Sequence, residues 1–362
     1  MREQVGRALA DFLGRQRAVL AGIDADLLPG LDVAGRLLAG GKRLRPAFCY
    51  WGWRAAGGQD AAGRAGDGRI LTAAAALELL HVSALVHDDV MDRSETRRGQ
   101  PAVHSVFAAR HAAGGWRGSA DSFGTGAAIL LGDLLLAWTG ELLRASGLPA
   151  AALRRGQAVL DAMCTEMIAG QYLDLLGQAA GPGTVESALA VVRYKSAKYT
   201  VERPLLLGAA LAPAVTGATG NTAETGHRVA AACSAYGIPL GVAFQLRDDV
   251  LGVFGDPAET GKPVIGDLRE GKRTVLVAMA RDRADAGQAS ILDRHLGHPQ
   301  LDEAAAAQVR AVLIGTGALA ACEQLIRDSV REALAALAEA PFTDEAKAAL
   351  AALAATATDR MS

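Results

Sequence analysis

Apolar residues recur at helical spacing along the whole chain, and two of the longest apolar patterns cover residues 69–92 and 235–256. No segment shows the strict alternation of apolar and polar residues that is typical of half-buried strands. The helical pattern breaks where Gly, Pro and Asp cluster, at residues 57–68, 111–124 and 181–184. Long helices joined by short turns favour a helical bundle, and we expect residues 1–362 to form a single domain.

The longest polar interruption, residues 254–274, reads FGDPAETGKPVIGDLREGKRT. Long ordered loops in compact domains are commonly functional. We therefore expect this segment to close over a ligand.

The composition supports the helical prediction and excludes some partners. Ala and Leu dominate the 51% apolar content while aromatic residues make up only 4%, which favours helices over strands and predicts an all-α protein. The formal net charge of -2 does not indicate the broad basic face that binds nucleic acid phosphates, so no nucleic acid partner is expected.

The cysteines and the N-terminus indicate the cellular compartment in which the protein is expected. The four cysteines lie far apart without metal-ligand spacing, so a reducing cytoplasm fits better than a disulfide framework. Charges interrupt the first 24 residues every few positions, which is typical of neither a signal peptide nor a membrane span. We expect a cytoplasmic protein without an integral membrane segment.

Three aspartates end the first apolar pattern. Asp88 and Asp92 share one face of a helix, and Asp89 lies about 100° round the axis. A solvated helix end is the simpler interpretation, but carboxylates near a helix C-terminus oppose the macrodipole and favour a cation that offsets them. Oxygen ligands select Mg²⁺, which commonly shares its remaining sites with waters and a substrate phosphate.

A second acidic cluster strengthens the metal hypothesis. The pattern of residues 235–256 delivers Asp248 and Asp249 near its end, followed by Asp256. Two such helices side by side in a bundle would place carboxylates across one cavity.

Basic residues balance this charge. Taken singly, each is more commonly a solvated surface charge, but a diphosphate held partly by metal needs such a set, with Arg suited to bidentate contact. The candidates are Lys42, Arg45, Arg97, Arg98, Lys195, Lys198, Lys262 and Lys272.

Seven motifs in order resemble the trans-isoprenyl diphosphate synthases of the polyprenyl synthetase family. They read GGKRLRP, HDDVMDRSETRRGQP, GDLLL, GQYLDL, YKSAKYT, FQLRDD and TGKPVIGDLREGKRT. The resemblance implies a bundle of mainly antiparallel helices around a central cavity, usually as a homodimer. It also implies a reaction in which an allylic diphosphate ionises, isopentenyl diphosphate attacks its carbocation, and a proton is lost.

The resemblance also implies roles for individual residues. Asp88 and Asp92 would bind two Mg²⁺ ions with Asp89 supporting them, and Asp248 a third with Asp249 close by; Mn²⁺ is a possible substitute. The allylic diphosphate would be held by Arg97, Lys195, Lys262 and Lys272. Isopentenyl diphosphate would be held by Lys42, Arg45, His81 and Arg98. Polar groups around the metals and the carbocation would be Gln171, Asp174, Ser196 and Gln245.

One position departs from the family pattern. Gly252 replaces the last aspartate of the second DDxxD motif. We expect activity to tolerate this change, although it leaves open a non-catalytic subunit of a heteromeric synthase. A terpene cyclase is a further alternative, but it would not need a second diphosphate site. His87, unlike His81, is expected to be structural.

Product length should depend on the residues one turn before Asp88. Ser83 and Ala84 are small, and a large aromatic residue there is associated in this family with a C15 product. Leu80 and Leu79 lie a turn deeper. We therefore favour geranylgeranyl diphosphate (C20), with C25–C50 products as the main alternative and C15 as a weaker one.

Overall fold

A computed structural model describes residues 1–59, 68–97, 99–181, 183–213, 222–255 and 265–358. Regular structure in these residues is almost entirely helical, which confirms the all-α prediction. The strands within the described ranges form one antiparallel hairpin, β1 (Thr96–Arg97) and β2 (Gln100–Pro101).

The helices follow one another with short connections in most places. Up to the central segment they are α1 (Arg2–Ile23), a 3-10 turn (Ala25–Leu27), α2 (Leu28–Ala39), α3 (Leu44–Ala55), α4 (Gly68–Met91), α5 (Val103–Ala113), α6 (Ala120–Arg144), α7 (Ala150–Ala180), α8 (Val185–Val191) and a π-helix (Val192–Glu202). They continue with α9 (Arg203–Leu211), α10 (Thr222–Phe254), α11 (Gly266–Glu270), α12 (Val275–Arg283), α13 (Ala286–His295), α14 (Glu303–Gly315), α15 (Ala318–Glu339) and α16 (Asp344–Thr358).

Helix α4 runs through the centre of one hydrophobic core and carries the first acidic motif at its end. It packs most extensively against α6 and also against α1 and α3. Positions 73–80 are buried on every side, which explains the absence of a polar face in this part of the sequence. Burial fixes the direction in which α4 presents its C-terminal aspartates.

Helix α10 carries the second acidic motif and joins two further cores. Its C-terminal half packs in a cluster with α12 and α15, while its earlier turns pack with α9 and α16. It also lies along the π-helix. The two acidic motifs are therefore anchored in different parts of the bundle.

The π-helix lies between α7 and α10 and depends on glycine at both contacts. A Cβ atom on Gly170 of α7 would overlap the amide nitrogen of Lys195, and one on Gly241 of α10 would lie 2.5 Å from the Cα of Ala197. Widened helical turns of this kind are frequent at functional sites. This one carries the YKSAKYT motif.

Gly241→Ala should destabilise the protein by about 1–3 kcal/mol, because the added methyl group meets backbone atoms of the π-helix that have little room to move. Urea unfolding followed by circular dichroism measures this change. The control is Gly14→Ala in α1, where the new methyl group meets nothing within 4 Å and should stabilise the helix by about 0.5–1 kcal/mol. Equal effects of the two variants would contradict the close contact.

Among the helices that the structure describes, three are long and apolar enough to cross a membrane by length and composition alone, and α14 with α15 would pass the same test as one bent pair. Burial covers 72% of the most apolar window of Gly68–Met91, 44% of that of Ala120–Arg144 and 50% of that of Glu224–Phe254. Packing inside the bundle thus accounts for the apolarity of α4. The expected absence of an integral membrane segment stays a prediction.

Candidate active site

The first acidic motif meets α7 and the π-helix through Asp88. Its Oδ1 accepts a hydrogen bond from Gln171 Nε2 at 3.0 Å and lies 3.4 Å from Lys195 Nζ. Lys195 Nζ also donates to Asp174 Oδ2 at 2.5 Å. Four residues from three helices that the sequence assigned to the site are thus brought together.

The charge around Asp88 keeps it ionised. Burial alone would raise the pKa of Asp88, but Lys195, Lys272 and Arg97 lower it below its ordinary value. The pKa of Lys195 is raised, because Asp88 and Asp174 outweigh the effect of burial. The site therefore holds opposite charges ready before any ligand arrives.

Asp92 is a buried carboxylate with one oxygen that accepts no hydrogen bond. Its side chain is only 2% exposed, its Oδ2 accepts no hydrogen bond, and Lys272 Nζ lies 3.4 Å from that oxygen. Burial and the charge of Asp88 raise the pKa of Asp92 to about 6. A buried carboxylate oxygen with spare acceptor capacity suits a cation.

Asp89 and Arg97 form a buried pair beside this centre. Arg97 Nε donates to Asp89 Oδ1 at 2.8 Å, Nη2 contacts the same oxygen, and Nη2 lies 3.8 Å from Asp88 Oδ2. The sequence placed Arg97 on the allylic diphosphate. In the structure its guanidinium is held by Asp89 and faces Asp88, so Asp89 fixes its direction.

The second acidic motif presents Asp249 towards the interior. Gln245 Nε2 donates to Asp249 Oδ1 at 2.7 Å, one turn earlier on α10. Burial, followed by the charges of Asp267 and Asp248, raises the pKa of Asp249 to about 7, and Lys272 opposes this effect. Asp248 itself is half-buried.

Lys272 links the two motifs. Its Nζ lies 3.4 Å from Asp92, 3.3 Å from Asp267 and 2.8 Å from Glu270. These carboxylates, with Asp88, raise the pKa of Lys272 well above its ordinary value despite burial. Asp92 of α4 and the carboxylates of α11 therefore surround one lysine, whose charge also lowers the pKa of Asp249 on α10.

The oxygen donors fit a divalent cation that is only partly held by protein. No three His, Cys, Asp or Glu side chains of the described residues are grouped closely enough to hold a metal by themselves. Mg²⁺ characteristically takes one or two carboxylates and completes its shell with waters and phosphate oxygens. Asp88, Asp92 and Asp248 agree with that chemistry.

A second cluster forms where α3, α4 and the π-helix meet. Arg45 Nη2 donates to Thr200 Oγ1 at 3.0 Å, and its guanidinium lies 4.3 Å from the centre of the Tyr199 ring. Tyr199 Oη is 3.3 Å from His81 Nδ1. Arg45 Nε is buried without a hydrogen-bond partner, and nearby on the same π-helix the side chain of Ser196 is buried.

Sequence reasoning missed several residues of the site. Tyr199 and Thr200 lie inside the quoted YKSAKYT motif, but their approach to Arg45 depends on the π-helix. Asp267 and Glu270 lie in the quoted segment before GKRT and were not distinguished from solvated charges.

The GGKRLRP motif contains a structural arginine that sequence reasoning also missed. Arg43 has φ 56°, is buried, and donates to Glu78 Oε2 at 2.5 Å and to Leu38 O. Its neighbour Lys42 is exposed. Arg43 thus fixes the start of α3, which carries Arg45.

The remaining candidates take varied positions. Ser83 is buried and donates to Gly132 O of α6 at 2.8 Å, whereas Ala84, on the Asp88 side of α4, is half-buried and Leu80 is fully buried.

His87 Nε2 lies 3.1 Å from Ile129 O on α6. Lys198 pairs with Glu166 and Glu202. Candidates outside the described residues are Arg98, Asp256 and Lys262.

Comparisons with known proteins agree with the geometry. The sequence model of the polyprenyl synthetase family matches residues 31–313. A geranylfarnesyl diphosphate synthase of Aeropyrum pernix is 34% identical over 84% of this chain and 86% of its own. A geranylgeranyl diphosphate synthase of Saccharolobus solfataricus is 31% identical over 72% of this chain and 69% of its own. A crystal structure of geranylgeranyl pyrophosphate synthase from Corynebacterium glutamicum, complexed with isoprenyl diphosphate and magnesium, superposes with a TM-score of 0.90 at 39% identity, covering 99% of this chain and 98% of that one.

Proposed function

The chain belongs to the polyprenyl synthetase family and is a trans-prenyltransferase, and we propose that it condenses isopentenyl diphosphate with an allylic diphosphate to make mainly geranylgeranyl diphosphate. The observation that carries the site assignment is Lys272, which lies 3.4 Å from Asp92 of the first motif and whose charge lowers the pKa of Asp249 in the second. A separate cationic cluster around Arg45 supplies a second diphosphate site, which a terpene cyclase would not need.

The metal sites use carboxylates of both motifs. Asp88 and Asp92 would hold two Mg²⁺ ions and Asp248 a third, with Mn²⁺ as a substitute. The bound ions supply positive charge where the departing diphosphate gains negative charge. Gln171 orients Asp88, and Gln245 orients Asp249 beside Asp248.

Lysines of the site hold the allylic diphosphate. Lys195 and Lys272 each lie among carboxylates that keep them charged, so their ammonium groups are fixed before the leaving group develops its charge. Arg97, held by Asp89, faces the same place. Lys262 is assigned to this set from the family motif alone.

Isopentenyl diphosphate binds without metal at the cluster around Arg45. Arg45 and His81 contact it there, with Lys42 and Arg98 added from the family motifs. We assign the half-buried apolar face of α4 next to Asp88 to excluding water from the carbocation, and the hydroxyl oxygen of Ser196 to facing its positive charge. The released diphosphate takes the proton that is lost.

Product length follows from the wall of α4 next to Asp88. Ala84 is one turn before Asp88 on the same face and leaves that wall open, while Leu80 a turn deeper and Met163 of α7 are fully buried in one core. We assign Leu80 and Met163 to the floor of the cavity. A floor one turn below Ala84 supports a C20 product, and the geranylfarnesyl relative makes C25 the second candidate.

The direct test is a chromatographic assay of product length with purified protein, Mg²⁺, isopentenyl diphosphate and C5, C10 or C15 allylic diphosphates. A dominant C20 product supports the proposal, and C25 or longer products would show that the floor lies deeper. No elongation with any starter would instead favour a partner-dependent subunit.

Two variants should shift product length in opposite directions. Ala84→Phe should shorten the main product to C15, because an aromatic ring then fills the open wall, and Leu80→Ala should lengthen it. The control is Leu79→Ala, which removes an equally buried side chain 100° round the helix, towards the side that faces α6. Each Leu→Ala change costs about 2–5 kcal/mol of stability, so a length change in both variants would point to loosened packing instead of a floor.

The proposal also includes a cytoplasmic homodimer whose single domain spans the chain. Helices α6 and α7 expose a set of large apolar side chains that suits such an interface, namely Ile129, Leu130, Ile168, Leu173 and Leu176. Light scattering of the purified protein should give twice the chain mass of 37.2 kDa. A monomeric mass in an active preparation would contradict this part.

A further inference from the structure

The second acidic motif lacks a carboxylate that the first motif has. Asp88 and Asp92 are four residues apart and share a helix face, while the position four residues after Asp248 is Gly252. One turn after Asp248, the same face of α10 therefore has no side chain, because residue 252 is glycine.

Asp267 fills the space that Gly252 leaves. A Cβ atom on Gly252 would overlap Asp267 Oδ2 and lie 3.0 Å from its Cγ. Asp267 lies on α11, in a segment that follows the motif in sequence but folds back against α10. Its carboxylate thus occupies the place where a side chain at residue 252 would begin.

Asp267 is also connected to the first motif. Its Oδ1 lies 3.3 Å from Lys272 Nζ, which is 3.4 Å from the buried Oδ2 of Asp92, an oxygen that accepts no hydrogen bond. The side chain of Asp267 remains 23% exposed, so it borders the open part of the site. A carboxylate in this place can accept hydrogen bonds from waters around an ion held by Asp248.

We propose that Asp267 is a positioning residue which supplies, from α11, the carboxylate that the second acidic motif lacks at Gly252. It orients the water ligands of the ion held by Asp248 and so restores the affinity that the shortened motif would lose. This inference rests on the proposed function, because it assumes that Asp248 holds a divalent ion.

The test measures Mn²⁺ binding directly, by electron paramagnetic resonance in the presence of inorganic diphosphate, so that no turnover is needed. Asp267→Asn keeps the shape and removes the charge, and it should weaken the diphosphate-dependent Mn²⁺ affinity by about 10–100-fold, as expected for residues that orient metal ligands. Asp267→Ala removes the atoms that a Cβ on residue 252 would overlap, and adding Gly252→Asp to that variant should recover most of the loss, because a carboxylate then returns to this region from α10. Unchanged affinity in Asp267→Asn, or a loss without recovery in the folded double variant, would overturn the proposal.

Glu270→Gln is the matched control. Glu270 also lies close to Lys272 Nζ, at 2.8 Å, with a similarly exposed side chain, but the three atoms nearest to a Cβ on Gly252 all belong to Asp267. If Asp267 acted only by pairing with Lys272, Glu270→Gln would weaken Mn²⁺ binding equally. We expect Glu270→Gln to weaken Mn²⁺ binding clearly less than Asp267→Asn does, because the carboxylate that fills the space beside Gly252 is that of Asp267.

Asp248→Asn separates this inference from the proposed function. Loss of one class of bound Mn²⁺ in Asp248→Asn with normal binding in Asp267→Asn would reject only the role of Asp267. Normal binding in Asp248→Asn would reject the metal assignment itself.

Discussion

Asp88→Asn should lower kcat/KM by about 10³-fold or more, the largest single effect expected at this site. Asp88 is the carboxylate on which Gln171, Lys195 and Arg97 converge, and its lowered pKa keeps it charged at neutral pH. The amide keeps the size of the side chain but removes the charge that would hold Mg²⁺. Steady-state kinetics with saturating isopentenyl diphosphate measures the loss.

The control for this prediction is Asp293→Asn. Asp293 pairs with Arg281 at 2.7 Å, but its side chain is 66% exposed, and such surface pairs contribute little. Its kinetics should be unchanged. A second readout is thermal stability: Mg²⁺ with diphosphate should raise the melting temperature of the original protein, and it should do so much less for Asp88→Asn. A near-normal rate in Asp88→Asn would show that the carboxylates of α4 do not hold the metal ions.

The placement of the aspartates could be predicted because helix geometry is regular. Once residues 69–92 are helical, the spacing of Asp88 and Asp92 fixes a shared face, and the apolar residues before them fix a buried helix. The same argument gives α10 and its acidic end. These parts of the site depend on contacts that are local in sequence.

The π-helix could not be predicted, because it has no local signature. Its residues have helical periodicity, and the wider turn is accommodated where Gly170 and Gly241 admit close approach from α7 and α10. Without that turn, the approach of Tyr199 and Thr200 to Arg45 could not be inferred. The place of Asp267 beside Gly252 was likewise hidden, because it depends on how the chain returns after α10.

Ser83 shows a different limit of sequence reasoning. Ser83 and Ala84 are adjacent and both small, so either could have lined the cavity next to Asp88. On a helix they point about 100° apart, and the hydrogen bond of Ser83 to α6 shows which of them faces away. The distinction needed the position of α6, which the sequence of α4 does not contain.

Arg45→Met should raise the KM for isopentenyl diphosphate by about 10²-fold while leaving the KM for the allylic diphosphate nearly unchanged. Loss of one charged partner of a bound diphosphate costs about 2–5 kcal/mol, and each 1.4 kcal/mol is a factor of ten. Arg45 contacts Thr200 and Tyr199. The methionine keeps the apolar stem that packs on Tyr199, so the fold should be retained.

Arg54→Met is the matched control, because Arg54 lies on the same helix but pairs with Glu345, whose side chain is 59% exposed. Both KM values should stay within about twofold there, since surface pairs are weak. Arg45→Lys should fall between, because a lysine keeps the charge but not the planar fork that binds phosphate oxygens in pairs. A selective rise in the KM for the allylic diphosphate in Arg45→Met would show that the two diphosphates bind at the opposite sites from those proposed. That result would place the departing diphosphate beside Tyr199, away from the carboxylates of α4, and the mechanism proposed for Lys195 and Lys272 would then fail with it.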